Sequence, residues 1–364
     1  MKDETTIKRY LYLFRTFVLI GSTSFGGYMS LIAMMRNKMV VRDKSISDDL
    51  ITEGISLASM LPGPVAVNVV TYVGFYVAGI AGALVSMTAV LLPSFLLVLA
   101  LTWLYLHAGS AFQIDDILKG IFPVVAGIIF ATGISMGKKI CTSWRHYIIA
   151  TASFAAVYFF NSYWAILLAL ASSAVAGTLL FKPPVEPRVA SARSWKRVAT
   201  WLGAFALGLL TTIWLSSGTL LGKIFEQFSV VSLSLFGGGY VMIPILKSML
   251  VDQLAWITDQ EFVYGISVGQ VTPGPILVSA TFFGYKMAGL TGAIVATVAI
   301  FTPSAILMLL LSAIFDALKH SQVVQAALAG VRPCVVGLII YSGLSILITH
   351  IQGTHAALTL SITA

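Results

Sequence analysis

Two Pro-Gly-Pro tripeptides, Pro62-Gly63-Pro64 and Pro273-Gly274-Pro275, stand inside apolar stretches of this 364-residue chain. Proline removes a backbone donor and clashes with the preceding helical turn, so no continuous helix runs through either tripeptide. Free carbonyls must precede each break and free amides must follow it. Amides at a helix N-terminus together carry roughly half a positive charge, which suits an anion. Gly26-Gly27 and Gly237-Gly238-Gly239 interrupt two further apolar stretches in the same way. Uncharged donors gather before the tripeptides: Ser56 and Ser59 ahead of Pro62, and Ser267, Gln270 and Thr272 ahead of Pro273. Asn68 and Ser279 follow, four residues beyond Pro64 and Pro275, which is one helical turn later. Hydroxyls and side-chain amides beside backbone amides can hold an oxyanion without full charge neutralisation. The plainer role for any one of these hydroxyls is an interhelical hydrogen bond.

Two charged residues lie nearby. Glu53, nine residues before Pro62 in an apolar run, reads equally as a proton-binding carboxylate that couples transport or as a helix-start acid stabilised by the dipole. Lys286, eleven residues past Pro275, would lie about 16 Å along a helix. It is an anion-countering candidate, although a lysine snorkelling to the interface is the plainer reading. The five histidines are scattered toward span ends with no metal-ligand spacing, so no metal and no cofactor are expected. Neither H-E-x-x-H nor G-x-S-x-G nor a Walker A motif occurs, which argues against an enzyme and against direct use of ATP. Cys141 and Cys334 are far apart in sequence and read as free thiols.

The elements that must position these groups are membrane helices. Of all residues 58% are hydrophobic and only 10% charged, against about 25% charged in an average globular chain. One soluble core could not hide that apolar surface. The composition describes an all-α polytopic membrane protein with the lipid bilayer as its partner, and it excludes a nucleic-acid binder. Apolar spans are expected near 82–106, 117–137, 146–160, 163–181, 200–216, 290–314 and 324–348. The pair around Asn161 reads as a tight hairpin. The stretch 182–199 is Pro-rich and basic, with Lys182, Arg188, Arg193, Lys196 and Arg197, and reads as a cytoplasmic linker.

The interruptions recur. Phe25-Gly26-Gly27 and Pro62-Gly63-Pro64 return 211 residues later as Phe236-Gly237-Gly238 and Pro273-Gly274-Pro275. Gly74, Ala78-Gly79, Pro93-Ser94, Gly120, Pro123, Gly127 and Gly133 return at an offset of 210. The chain is an internal duplication with repeat cores near 11–137 and 222–347. It divides into an N-terminal unit over 1–181, the linker 182–199 and a C-terminal unit over 200–364. After the first glycine break come Arg36, Lys38, Arg42 and Lys44, whereas the matching loop carries Lys247 against Asp252, Asp259 and Glu261. Matching loops of opposite Lys/Arg content belong on opposite sides of the membrane, so the two units are expected in inverted topology. Residues 1–199 hold 17 of the 22 basic groups, and the net charge of +8 is a cytoplasmic excess. A homodimer is compatible with this architecture.

Leu235-Phe236-Gly237-Gly238-Gly239-Tyr240, Trp256 to Phe262 and Gly269-Gln270-Val271-Thr272-Pro273-Gly274-Pro275 resemble the second-half signatures of the chromate ion transporter family. Ser24-Phe25-Gly26-Gly27, Leu61-Pro62-Gly63-Pro64 and Tyr72-Val73-Gly74 resemble its first-half signatures. The resemblance covers both units and identifies the chain as a two-unit, long-chain type. It implies helices broken at these motifs and a small oxyanion as cargo, chromate with sulfate as its analogue, moved outward across the cytoplasmic membrane. Alternating access coupled to a proton or counter-anion is the expected mechanism. The alternative is an anion channel, or a carrier for a different small anion. In the first half Ser59 stands where the family commonly has Gln, and Val65 where it commonly has Asn.

Overall fold

The computed structural model describes residues 6–25, 28–107, 114–160, 162–182, 200, 202–212, 218–236, 242–312 and 321–363. Every regular element among them is a helix. They are α1 (Thr6–Thr23), α2 (Tyr28–Met35), α3 (Asp48–Ala58), α4 (Val65–His107), α5 (Ile114–Ile140), α6 (Trp144–Phe160), α7 (Tyr163–Leu180) and α8 (Leu202–Thr212). Then follow α9 (Leu220–Ser234), α10 (Met242–Lys247), α11 (Asp259–Val271), α12 (Ser279–Ser312) and α13 (Gln322–Thr363). Val65–His107, Ile276–Ser312 and Gln322–Ile348 are each long and apolar enough to cross a membrane.

The repeat is written into local conformation. A π-helical segment follows α2 over Arg36–Arg42 and another follows α10 over Ser248–Gln253. Each is followed by one residue with positive φ, Lys44 at 48° and Ala255 at 47°, 211 positions apart. Three residues later a hydroxyl caps the next helix. The Ser47 side chain accepts from Leu50 N at 3.3 Å. Thr258 Oγ1 accepts from Glu261 N at 3.2 Å, while Glu261 Oε2 accepts from Thr258 N at 3.0 Å, a reciprocal capping box.

Neither α4 nor α12 is one straight rod. Ala78 (φ −146°, ψ 27°) and Gly79 (φ 66°, ψ −157°) interrupt α4, and Ala288 (φ −147°, ψ 29°) and Gly289 (φ 62°, ψ −151°) interrupt α12. Gly74 and Gly82 would lie about 12 Å apart along a straight helix. Instead a Cβ on Gly74 would come within 2.5 Å of the Gly82 carbonyl oxygen. The limbs 65–77 and 80–107 therefore fold back on one another, with glycines where the backbones touch. The second repeat does the same: Cβ atoms on Gly284 and Gly292 would each collide with the other's carbonyl, and Thr281 Oγ1 meets Thr297 Oγ1 at 2.8 Å across the fold. The apolar runs 82–106 and 290–314 lie almost wholly in the second limbs. No hydrophobic force separates helix from lipid, so such close backbone contact is what holds membrane helices together.

By contacts the chain forms two compact units that do not follow its linear order. The first gathers 1–102, 183–239 and 268–325; the second gathers 103–182, 240–267 and 326–364. In the first, α12 packs along α9, and Gly21 lets α1 approach the Val90 carbonyl of α4. Phe17, Phe228, Phe282, Phe283 and Phe301 are fully buried there. In the second, α6 packs against α7, and Arg145 Nη1 donates to the last-turn carbonyl of Leu180 at 2.7 Å. Gly330 and Gly337 of α13 lie against the backbones of Ser173 and Ala150. Cys141 and Cys334 are both buried free thiols.

Candidate functional site

The site is assembled in the first compact unit. Helix α3 ends at Ala58 and α4 begins at Val65, with Pro62-Gly63-Pro64 between them. The two helices run back along one another: a Cβ on Gly54 would sit 3.0 Å from the Tyr72 ring, and Tyr72 Oη donates to Glu53 at 3.5 Å. The tripeptide is thus the tip of a helical hairpin. In the second repeat Pro273-Gly274-Pro275 separates α11 from a short 3₁₀ turn over Ile276–Val278 that leads into α12. Gly63 and Gly274 hold φ of 108° and 106°, a left-handed region that only glycine adopts without strain.

Each tip is tied to the opposite repeat. Gly63 N donates to Leu235 O at 2.7 Å, and Gly274 N donates to Ser24 O at 2.8 Å. Ser24 and Leu235 are themselves 211 residues apart, so the two bonds are the same bond made twice in exchange. Ser94 Oγ donates to Pro273 O at 2.6 Å, and a Cβ on Gly274 would collide with that hydroxyl. A Cβ on Gly63 would collide with Ser304, the equivalent serine, whose Oγ bonds Phe301 O of its own helix at 3.2 Å. Ser94 and Ser304 are fully buried.

Around the tips lie polar atoms that the protein leaves unsatisfied. Ser24 Oγ and Asn68 Oδ1 are buried without a hydrogen-bond partner among the described residues, and so is Gln270 Nε2. Asn68 Nδ2 donates to Pro62 O at 3.4 Å. The first amide satisfied within α4 is that of Asn68, bonded to Pro64 O at 3.0 Å. The amides of Val65, Ala66 and Val67 precede it and have no acceptor inside the helix, and all three residues are buried. Free amides, a hydroxyl and a side-chain amide in a low-dielectric place form a donor set for an anion.

The structure brings together only some of the residues singled out from sequence. Pro62, Gly63 and Pro64 form one tip, with Asn68 one turn on; Pro273, Gly274 and Pro275 form the other. Gln270, Thr272 and Ser279 are near it in sequence, and a Cβ on Gly269 would collide with Ser279. Several hydroxyls are already engaged by their own helices: Ser56 with Thr52 O, Ser59 with Ile55 O, Ser267 with Val263 O, Thr272 with Gly269 O and Ser279 with Ile276 O. Such back-bonds leave the hydroxyl oxygen as acceptor and its proton committed. Glu53 is exposed and lies along the hairpin below its tip, beside Tyr72. Lys286 is exposed, two residues before the Ala288-Gly289 reversal and so toward the far end of the limb from Pro275. Gly26, Gly27, Gly237, Gly238 and Gly239 lie outside the described residues.

Sequence reasoning did not assign Ser24, Ser94 and Ser304 to the site. The Pro93-Ser94 and Pro303-Ser304 pairs were visible as repeat markers, and a small hydroxyl recurring after a mid-helix proline was the available signal. Ser24 precedes the first glycine break as Leu235 precedes the second.

The chromate transporter family model matches residues 11–178 and 222–364. The chain is 31% identical over 340 residues to an uncharacterized transporter of Methanocaldococcus jannaschii, covering 91% of this chain and 82% of that protein. It is 30% identical over 330 residues to a chromate transport protein of Cupriavidus metallidurans, with 89% and 79% covered. It is 28% identical over 344 residues to a chromate transport protein of Pseudomonas aeruginosa, with 91% and 79% covered. No solved structure matches the chain.

Proposed function

From the premise that this chain belongs to the chromate transporter family, we propose that it carries a tetrahedral oxyanion, chromate with sulfate as an analogue, between its two Pro-Gly-Pro tips. It is a multi-pass membrane protein and an ion transporter, not an enzyme. The observation that carries the proposal is the reciprocal tie, Gly63 N to Leu235 O and Gly274 N to Ser24 O. It ties each break, with its free amides and the unpaired polar side chains near it, to the opposite repeat inside one compact unit.

A dianion in that place would accept from the amides of Val65–Val67 and from Ser24 and Gln270. No full countercharge is needed, and this suits a site that must also release its cargo. Gly26-Gly27 and Gly237 to Gly239 complete the set of breaks in this reading. Two repeats related by an axis in the membrane plane would expose the site alternately to either side. The opposite Lys/Arg content of the 36–44 and 247–261 loops supports that inversion. The basic linker 182–199 then lies in the cytoplasm and the protein in the cytoplasmic membrane. Net movement is outward and is coupled to a proton or a counter-anion. A homodimer is the proposed assembly.

The test is flux in proteoliposomes made from the purified chain. Radiolabelled chromate uptake should saturate, depend on a pH or counter-anion gradient and be inhibited by sulfate. Electrogenic flux that does not saturate and ignores the counter-ion would make the protein a channel instead. Absence of chromate movement with another small anion transported would move the assignment to that anion.

A further inference from the structure

The second compact unit holds an ion cluster whose surroundings differ from those of its counterpart in the first repeat, where Arg36 pairs with Asp48 and Lys38 with Asp43. Arg36 and Asp48 form an ion pair in the first repeat, with side chains 43% and 54% exposed. The equivalent residues 211 positions on are Lys247 and Asp259, paired at 3.3 Å, with the lysine side chain only 15% exposed. Lys247 Nζ also donates to Ser345 Oγ of α13 at 2.9 Å. Here the repeats part: the counterpart of Val41 is Asp252. Lys247, Ser248, Asp252, Tyr341 and Ser345 line a cavity of about 10 Å³, a volume that accommodates about one water. Ser248 is 5% exposed and its Oγ has no hydrogen-bond partner among the described residues.

We infer that Asp252, which lines a one-water cavity together with Lys247, is a proton-binding residue and that it carries the proton exchanged against the anion. The inference rests on the proton-coupled form of the transport reading above. With both carboxylates ionised and Lys247 charged, the cluster holds one net negative charge around a covered lysine, with Asp252 itself exposed at its edge. One proton taken from water onto Asp252 brings it to neutrality. Ionised Asp252 competes with Asp259 for Lys247; protonated Asp252 does not. Protonation thus changes which pairing is best between α10, the π-helical segment and α11.

Among the described residues, the ionisable groups facing Asp252 are Lys247 from α10, Asp259 from α11 and Tyr341 from α13. The cavity walls from α6 and α7 are the apolar Val157 and Ile166. Asp252 lies outside the segments long enough to span the membrane. Burial pushes its carboxyl above the usual range, Lys247 pulls it down and Asp259 adds to the rise. Burial and Asp259 both disfavour a second negative charge.

The test uses the full chain. Difference infrared spectroscopy across a pH titration should show a protonated-carboxyl band that ionises as pH rises, and Asp252→Asn should remove it. In proteoliposomes with a pH dye, the same variant should lose chromate-linked proton movement, while Asp252→Glu restores it. If Asp252→Asn keeps both the band and the proton movement, the inference is overturned. Should that variant not elute as folded protein, Lys247→Met decides: loss of the cation should move the titration midpoint to higher pH, and an unmoved midpoint overturns the inference. A wild-type protein that moves no chromate at all would overturn the transport reading instead, since the infrared titration of Asp252 stands apart from flux.

Discussion

The two tips and the two corners beyond the π-helical segments age differently under the same duplication. At the tips the repeats are near copies: Gly63 and Gly274 differ by 2° in φ and exchange equivalent bonds of 2.7 and 2.8 Å. At the corners the ion pairs share their positions but not their surroundings. Arg36 and Asp48 stand in the open, whereas Lys247 is covered and faces an added acid, Asp252. A cargo contacted from both repeats needs matched tips, because mismatch would favour one half of the cycle. On the reading proposed above, a residue that binds the coupling proton has no such need and can exist once.

The largest expected effect falls on the matched pair. Gly63→Ala and Gly274→Ala each force a side chain into positive φ and into the opposing serine, at a cost of about 2–5 kcal/mol. Both should lower the melting temperature and the chromate flux to a similar extent. A large loss for one and none for the other would break the equivalence of the tips. A smaller effect sharpens where that equivalence ends. Ser94→Ala strands the buried carbonyl of Pro273 and should cost about 1–3 kcal/mol. Ser304→Ala gives up only a bond within its own helix and should cost about 1 kcal/mol or less. Thermal melts of the two variants side by side would read the difference.

The smallest effect is at the unmatched corner. A carboxyl raised in the folded state favours folding below its unfolded value of about 3.9, and that contribution is lost as pH rises through the folded value. Asp252→Asn cannot ionise, so it should melt above the wild type at neutral and alkaline pH. The gap should close as pH falls below about 4. A gap that widens in acid would mean that the Asp252 carboxylate stabilises the corner.

Much of this was legible in sequence because proline and glycine act locally. The breaks between Ala58 and Val65 and between Val271 and Ser279 follow from removed donors, and the 211-residue recurrence marks which breaks belong together. The reversals at Ala78-Gly79 and Ala288-Gly289 were not legible. Ala-Gly inside an apolar run is also ordinary membrane helix, and only the packing of Gly74 on Gly82 turns it into a fold-back. Nor could sequence choose among the hydroxyls. Ser56, Ser59 and Ser267 look like free donors in the chain, but each has a carbonyl of its own helix within reach. Ser94 reaches Pro273 across 179 residues, a separation that no local pattern encodes. Asp252 shows in sequence only as part of the charge contrast between the matching loops, because it has no counterpart carboxylate at Val41 to single it out.

The exchanged bonds at the tips also fix the smallest complete unit of this architecture. One repeat alone would carry a tip amide without its carbonyl and a helix-end carbonyl without its amide, both in apolar surroundings where an unpaired backbone group costs several kcal/mol. Neither half is self-sufficient in its hydrogen bonds, and the second copy supplies what the first lacks. The duplication is therefore a closure condition and not redundancy: two repeats are the least that leaves neither tip with an open valence.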